Sequence, residues 1–128
     1  MPFSILHLPE QSSGKTGEDI AAAFLRAQGY RIRARNFRTK IGELDIICRK
    51  ANAYIFVEVK TLKTGSEAYS PELHFTEEKL RKMQRVALLY CKANRMSPET
   101  DMRFDLLCVE LGSNGAKPVI RHYENLGT

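Results

Sequence analysis

The fold is decided by residues 42–60, GELDIICRKANAYIFVEVK, which hold two apolar runs around a short polar stretch. β-Branched and aromatic residues are enriched in these runs, as is typical of strands. We predict one strand over residues 43–49 and a second over residues 54–62, joined by a loop formed by residues 50–53. The segment therefore predicts an antiparallel β-hairpin.

Alternation along these two strands brings charged side chains together. Successive side chains point to opposite faces of a strand, so Glu58 and Lys60 share one face. Glu43 and Asp45 share a face of the preceding strand for the same reason. The opposite, apolar face is predicted to hold Leu44, Ile46, Cys48, Ile55, Val57 and Val59. With this loop length, Asp45 lies directly across from Glu58, with their Cβ atoms roughly 4.5 to 5.5 Å apart.

Two opposed carboxylates, Asp45 and Glu58, predict a bound cation, because like charges that face each other destabilise a sheet pair. Mg²⁺ (or Mn²⁺) fits, since it takes one or two carboxylates, keeps several waters and accepts phosphate oxygens. Lys60 would orient the attacking water or neutralise charge on the phosphate, and the Val59 backbone carbonyl is a further candidate ligand. The alternative is the polar face of an ordinary hairpin. The whole motif in its predicted context favours the metal site.

The remaining elements surround this hairpin. An amphipathic helix is predicted over residues 15–28, with Thr16 as its N-cap, followed by a strand that starts near Tyr30. A second helix is predicted from Thr76 to Asn94. Two closing strands are predicted over residues 102–110 and 119–123. Surface connections are predicted over residues 63–75 and 112–115. The order is helix, three strands, helix, two strands, which predicts an α/β sandwich around one mixed sheet.

Composition limits the classes of function. The formal net charge of +5 favours a polyanionic partner without identifying it. No apolar run approaches the roughly 20 residues that a membrane-spanning helix needs, and the first ten residues do not resemble a secretory signal, so we expect a cytoplasmic protein without a membrane partner. Glycine-rich phosphate loops are absent, which argues against a nucleotide cofactor. The three cysteines are widely spaced among apolar neighbours and are predicted to be structural thiols.

The strings GELDII at residues 42–47 and FVEVK at residues 56–60 resemble the YraN family (UPF0102), as do Gly17-Glu18 and RFD at residues 103–105. That family is similar to the PD-(D/E)XK nucleases, especially the archaeal Holliday-junction resolvases. The resemblance implies an αβββαβ restriction-endonuclease-like core, with a central mixed β-sheet flanked by helices. Where restriction enzymes carry the letters P-D, this chain has the GELD pattern of the YraN family.

The poorly patterned residues 1–13, which end in small polar residues, predict a flexible N-terminal leader. The resemblance implies that residues 14–128 form a single PD-(D/E)XK nuclease-like domain, and it also implies site residues. The implied catalytic residues are Asp45, Glu58, Lys60 and Glu18, and the implied metal ligands are Asp45, Glu58 and Glu18.

Three further carboxylates have more than one interpretation. Glu18 lies at the border of the apolar stripe of the first helix and can approach the sheet, but a surface carboxylate that stabilises the helix dipole would look the same. Glu43 is expected to support the metal ligands rather than bind the metal. Asp105 could bind metal, but it is expected to close a structural hydrogen bond or salt bridge in the fourth strand instead.

Basic residues before and after the hairpin are candidates for nucleic-acid binding. They are a stripe of Arg31, Arg33, Arg35, Arg38 and Lys40 on the first strand, and a ridge of Lys79, Lys82 and Arg85 on the second helix. Both sets could track phosphates, and both could be ordinary solvated faces.

Two functions follow from these patterns. The first is a divalent-metal-dependent endonuclease that hydrolyses phosphodiester bonds of DNA, with branched or damaged DNA as one option and repair or recombination as the setting. A resolvase-like substrate would favour a homodimer, because cutting two strands needs two active sites. The alternative is a catalytically weak or inactive nucleic-acid-binding or interaction module that retains the nuclease fold.

Overall fold

The computed structural model describes residues 13–63, 75–112 and 116–127. In these ranges the elements are α1 (Ser13–Ala27), β1 (Arg31–Thr39), β2 (Gly42–Lys50), β3 (Ala53–Lys63), α2 (Glu77–Ala93), β4 (Asp101–Leu111) and β5 (Val119–Tyr123). The predicted leader up to residue 12 and the inner parts of both predicted surface connections lie outside the described residues.

The five strands form one mixed sheet in the order β1-β2-β3-β4-β5. β1, β2 and β3 pair antiparallel, β3 and β4 pair parallel, and β5 returns antiparallel to β4. Parallel neighbours need a crossover connection, and α2 lies in the connection between β3 and β4. The predicted αβββαβ restriction-endonuclease-like core, an α/β fold with a mixed sheet, is confirmed, with β5 as an added edge strand.

Each face of the sheet packs against one helix. The α1 side buries Ile20, Ala21, Ala22, Leu25, Tyr30, Ile46, Cys48, Ile55, Val57, Leu107 and Val109. The α2 side buries Leu44, Ile47, Phe56, Met83, Val86, Ala87, Tyr90 and Phe104. Because β3 contributes to both clusters, it is a central strand with apolar side chains on both faces, and its polar residues stand out as exceptions. Within the described residues, neither helix is long and apolar enough to cross a membrane.

The observed ends of α2 agree with the ends predicted from the sequence, whereas the observed start of α1 differs from the predicted one. Thr76 caps α2 by accepting a hydrogen bond from the Lys79 backbone N–H at 3.2 Å. The helix ends at Ala93 with Asn94 as its C-cap, within one residue of the predicted end. The predicted cap at Thr16 is wrong, because α1 begins at Ser13 and Thr16 lies inside the helix. Glu18 therefore lies in the second turn, away from the positive end of the helix dipole.

Gly17 brings α1 unusually close to the sheet. A Cβ atom added at Gly17 would lie 1.8 Å from Thr61 Oγ1 and 2.9 Å from Thr61 Cβ, far inside van der Waals contact. Only a residue without a side chain allows this approach between α1 and β3. The close packing fixes the height of Glu18, the next residue, above the sheet.

Gly17→Ala is expected to destabilise the protein, although helix propensity alone predicts the reverse by about 1 kcal/mol. Overpacking a filled site typically costs about 1–3 kcal/mol, which exceeds that gain. The measurement is the free energy of unfolding in urea, with Gly17→Ala/Thr61→Ala as the matched control that removes the Thr61 hydroxyl and methyl. Partial recovery in the double variant would identify the clash as the cause. A more stable single variant would contradict the account.

Asp105 is the only charged side chain fully buried within the described part of the chain, at 0% exposure. Arg103 donates to it through Nε at 3.0 Å and through Nη2 at 2.8 Å, and the Asn125 backbone N–H donates at 3.0 Å. His122 Nε2 lies 2.7 Å from Asp105 Oδ2, the oxygen that Asn125 does not contact. Arg103 Nη2 also donates to the Tyr30 hydroxyl at 2.6 Å. The structural role expected for Asp105 is confirmed, and it lies on the α1 side of the sheet.

Two of the three cysteines are buried, as expected for structural thiols. Cys48 and Cys108 are fully buried, and Cys91 is partly buried. Burial raises the pKa of the Cys48 thiol to about 12, with a further rise from the nearby charge of Asp105. Cys48 is therefore a neutral, unreactive thiol at neutral pH.

Candidate active site

The hairpin turn between β2 and β3 is tighter than predicted. Arg49 lies opposite Tyr54 as expected, but the next pair towards the turn also forms. The turn therefore consists of Ala51 and Asn52 alone, with Ala51 at a positive φ of 55°, as two-residue hairpin turns require.

Regular pairing between β2 and β3 stops next to Asp45. The ladder reaches Ile46, and beyond it the Asp45 carboxylate accepts a hydrogen bond from the Val59 backbone N–H at 2.8 Å. Leu44 packs on the α2 side, whereas Ile46 and Cys48 pack on the α1 side. The prediction that Leu44, Ile46 and Cys48 share one face is wrong, because alternation breaks at Asp45. We call this opening between the strands, at Asp45 and Val59, the fork.

The break continues into the edge strand β1. Arg35 pairs with Ile46 and Phe37 pairs with Leu44, so Asn36 lies opposite Asp45. Asn36 has a positive φ of 54°, a conformation that asparagine tolerates better than most residues. The alternation of side chains between the two faces of the sheet is thus interrupted at opposite residues of β1 and β2, Asn36 and Asp45. This change was not predicted, and Asn36 in a run of basic and apolar residues was its only sequence signal.

A cleft of about 300 Å³ opens at the fork. It is lined by Gly42, Glu43, Asp45, Glu58, Lys60, Lys79, Lys82 and Met83. The structure thus brings together most of the side chains predicted to form the site. Lys60 Nζ lies 3.9 Å from Glu58 Oε2, so the two groups form a loose ion pair on one wall.

The environment of Asp45 disfavours its negative charge. Burial raises the pKa of Asp45 to about 6; the hydrogen bond from Val59 lowers it, and the charges of Glu18, Glu58 and Glu43 raise it. At neutral pH the carboxylate is therefore ionised in a buried place, with three other carboxylates near enough to repel it. A cation in the cleft would relieve this repulsion.

The oxygen donors of the cleft fit a hard divalent ion. Asp45 and Glu58 line one cavity, and Mg²⁺ typically takes one or two carboxylates together with water and phosphate oxygens. Among the described residues, no three His, Cys, Asp or Glu side chains converge into a ready metal-binding group. The fit therefore rests on two carboxylates, and the Val59 carbonyl as a ligand stays a prediction.

Glu18 approaches the site from α1 but is not among the described residues that line the cleft. Burial raises the pKa of Glu18, Arg35 lowers it, Glu43 raises it, and a hydrogen bond with the Asn36 side chain lowers it again. Its charge acts on Asp45 across the fork. The catalytic and ligand roles of Glu18 stay predictions.

The lysines of α2 form the wall opposite the hairpin. Lys79 and Lys82 line the cleft, whereas Arg85 is exposed and is not among its lining residues. A Cβ atom at Gly42 would lie 2.9 Å from Lys82 Cε, so Gly42 leaves the room in which the Lys82 stem crosses the β1–β2 turn. This role of Gly42 was not predicted, and the glycine before Glu43 was its only signal in the sequence.

The basic stripe predicted on β1 is not continuous. The register of β1 against β2 shifts at Arg33, which changes the face of the residues that follow. Arg35 forms a salt bridge with Asp19 of α1 at 2.7 Å, and Arg38 forms one with Glu43 at 3.0 Å. The prediction of one stripe formed by Arg31, Arg33, Arg35, Arg38 and Lys40 is therefore wrong. Nucleic-acid contact by the individual residues stays a prediction.

Comparison with known proteins assigns the chain to a family. The model of "Uncharacterised protein family UPF0102" matches residues 17–109, which include the fork and every lining residue of the cleft. A UPF0102 protein of Trichlorobacter lovleyi is 42% identical over 117 residues, covering 90% of this chain and 89% of the relative. One from Syntrophomonas wolfei is 38% identical over 111 residues, covering 86% and 96%. The chain therefore belongs to the UPF0102 family, the YraN-type proteins.

Proposed function

We propose that this protein is a divalent-metal-dependent endonuclease that hydrolyses phosphodiester bonds of DNA, including branched or damaged DNA. The observation that carries the proposal is the fork, where the buried carboxylate of Asp45, whose pKa is raised, shares one cleft with Glu58 and Lys60. The lysines of α2 line the same cleft and supply positive charge for a phosphate backbone. The cytoplasmic location, the repair or recombination setting and the homodimer stay predictions.

Each side chain has a part in this chemistry. Asp45 and Glu58 would hold Mg²⁺ or Mn²⁺, with Glu18 as a further candidate from α1. When bound, the ion would supply Lewis-acid stabilisation of the charge that develops on the phosphate. The Val59 N–H fixes one oxygen of Asp45 at 2.8 Å, so the carboxylate is positioned before any ligand arrives. Lys60, held beside Glu58, would orient the attacking water or neutralise the phosphate.

A nucleic-acid-binding module without catalysis is the second candidate. It is favoured by one observation: the described carboxylates form no group of three around a single point. In that case the lysines would bind the backbone, and the partners of Asp45 and Glu58 among the described residues would be Val59 and Lys60.

Lys60→Met separates the two candidates. If Lys60 acts in the reaction, its loss should lower the rate of cleavage by about 10²–10³-fold, as loss of one transition-state donor does. DNA affinity, measured by anisotropy in EDTA, should change little, because one phosphate contact is at stake. The matched control is Lys63→Met, an exposed lysine at the end of β3. Equal effects in both variants would remove Lys60 from the mechanism, and cleavage by neither the wild type nor the variants would favour the module.

A further inference from the structure

A second cleft, of about 400 Å³, lies at the end of the β1–β2 ladder remote from the fork. It is lined by Gly29, Arg31, Arg33, Arg49, Lys50 and Ala51. Four of these six residues are cationic and none is acidic. We call it the basic cleft.

The cations of the basic cleft oppose one another. Arg31 and Arg49 are direct cross-strand partners, which places their Cβ atoms about 4.5–5.5 Å apart. Like charges in this position destabilise a sheet pair, as opposed carboxylates do. Among the described residues, the salt bridges of β1 involve Arg35 and Arg38, and no cation of the basic cleft takes part in one. The positive charge is therefore concentrated and not neutralised by those residues.

Aromatic rings support two of these cations. The Arg49 guanidinium lies over the Tyr54 ring at 5.5 Å, and Lys50 Nζ lies 4.6 Å from the centre of the Tyr30 ring. Arg49 Nε also donates to the Ala51 carbonyl at 3.3 Å. These contacts position the side chains but leave their charge in place, which suits an anion that accepts several hydrogen bonds at once.

The spacing between the two clefts matches a nucleic-acid backbone. Asp45 and Arg49 are four residues apart on β2, which corresponds to about 13 Å along a strand. Successive phosphates of one duplex strand are about 3.4 Å apart along the helix axis. A phosphate in the basic cleft would therefore lie about four nucleotides from one at the fork.

We propose that the basic cleft binds a backbone phosphate of the nucleic acid, about four nucleotides from the phosphodiester at the fork. The proposal rests on the proposed nucleic-acid substrate but not on catalysis. Arg31 and Arg49 supply the paired guanidinium groups, which bind phosphate oxygens bidentately, and Arg33 and Lys50 add charge on either side. The contact would set the position of the nucleic acid relative to Asp45.

The test compares Arg31→Gln/Arg49→Gln with Lys92→Gln/Lys117→Gln, an equal change of charge at exposed residues outside the basic cleft. Binding of a duplex of about 20 base pairs is followed by anisotropy in EDTA, between about 50 and 200 mM salt. Each lost phosphate contact reduces the slope of log K against log salt by about 0.9, so the first variant, which loses the one phosphate of the basic cleft, should lose about 0.9 and the control much less.

The outcomes separate this proposal from the proposed function. A reduced slope in Arg31→Gln/Arg49→Gln supports the basic cleft even if no nucleic acid is cleaved. Equal slopes in the two variants would overturn it even if cleavage is intact. Binding of inorganic tripolyphosphate is measured as well. If Arg31→Gln/Arg49→Gln loses tripolyphosphate binding but keeps duplex binding, the proposal is also overturned, because the cleft then binds small anions only. Arg33→Gln/Lys50→Gln tests the same cleft if the first variant fails to fold.

Discussion

Asp45→Asn is expected to abolish metal-dependent cleavage and, at the same time, to raise the free energy of unfolding in metal-free buffer. The amide oxygen of asparagine can still accept the Val59 N–H, so the fork keeps its hydrogen bond. The buried negative charge, which Glu18, Glu58 and Glu43 repel, is removed. Loss of a charged ligand should reduce the cleavage rate by at least about 10³-fold, as loss of a central catalytic group does.

The gain in stability has a defined pH dependence. The pKa of Asp45 is raised from 3.8 to about 6 in the folded protein. A raised carboxyl pKa gives stability that is fully present below the unfolded value and is lost as pH rises through the folded value. Relative to the variant, the wild type should therefore lose about 1–2 kcal/mol between pH values of about 4 and 7, after allowance for solvent screening.

Urea unfolding across this pH range measures the effect, with Asp101→Asn as the matched control at an exposed position of β4. The control should show neither the gain in stability nor the loss of cleavage. An Asp45→Asn protein that is less stable than the wild type at neutral pH would contradict the account of the fork as a site of electrostatic repulsion.

Asp105→Asn is expected to be the most destabilising of the substitutions considered, at about 3–5 kcal/mol. The neutral amide removes the charge partner of Arg103. The amide nitrogen that replaces one carboxylate oxygen cannot accept the two hydrogen bonds that this oxygen receives, since each oxygen accepts one from Arg103 and one from either His122 or Asn125. The cost comes mainly from the partners left without an acceptor in a buried place. Urea unfolding at neutral pH measures it.

A paired substitution tests that reason. Arg103→Met/Asp105→Leu removes both members of the ion pair, and replacing a whole buried pair by apolar residues costs less than breaking it. The double variant should therefore be more stable than Asp105→Asn. A double variant at least as unstable would show that the remaining partner, His122, or the packing dominates instead.

The hydrogen bonds around Asp105 also determine how the stability of the folded protein changes at acid pH. Burial raises the pKa of Asp105, but hydrogen bonds from His122, Arg103 and Asn125 outweigh it and the pKa is lowered below 3.8. This contribution to stability is present above the unfolded value and is lost as pH falls through the folded one. Asp45 and Asp105 thus act in opposite directions and in different pH ranges.

The order of elements was predictable because hydrophobic period and end signals agree along the chain. Thr76 and Asn94 bound α2 in the sequence and in the structure, and the strand pattern of residues 54–62 is recovered within one residue at each end. The start of α1 at Ser13 was not predicted, because the small polar residues up to Gly14 suggested a flexible entry and Thr16 a helix cap. Gly17 is instead required by the close contact of α1 with β3.

The candidate site was predictable in its members but not in its geometry. Two-residue alternation identified Asp45, Glu58 and Lys60 as neighbours, and all three line one cleft. The break at Asp45 could not be predicted, because it depends on a matching change at Asn36 in the neighbouring strand. The alternation of residues within one β-strand holds no information on the backbone conformation of the strand that pairs with it.

The most direct test of the central claim is calorimetric titration of Mn²⁺ into the wild type, Asp45→Asn and Glu58→Gln in the presence of four-way-junction DNA. We predict a binding heat in the wild type that is lost in both variants and kept in Asp101→Asn. No binding to the wild type, with DNA present, would contradict a metal-dependent nuclease.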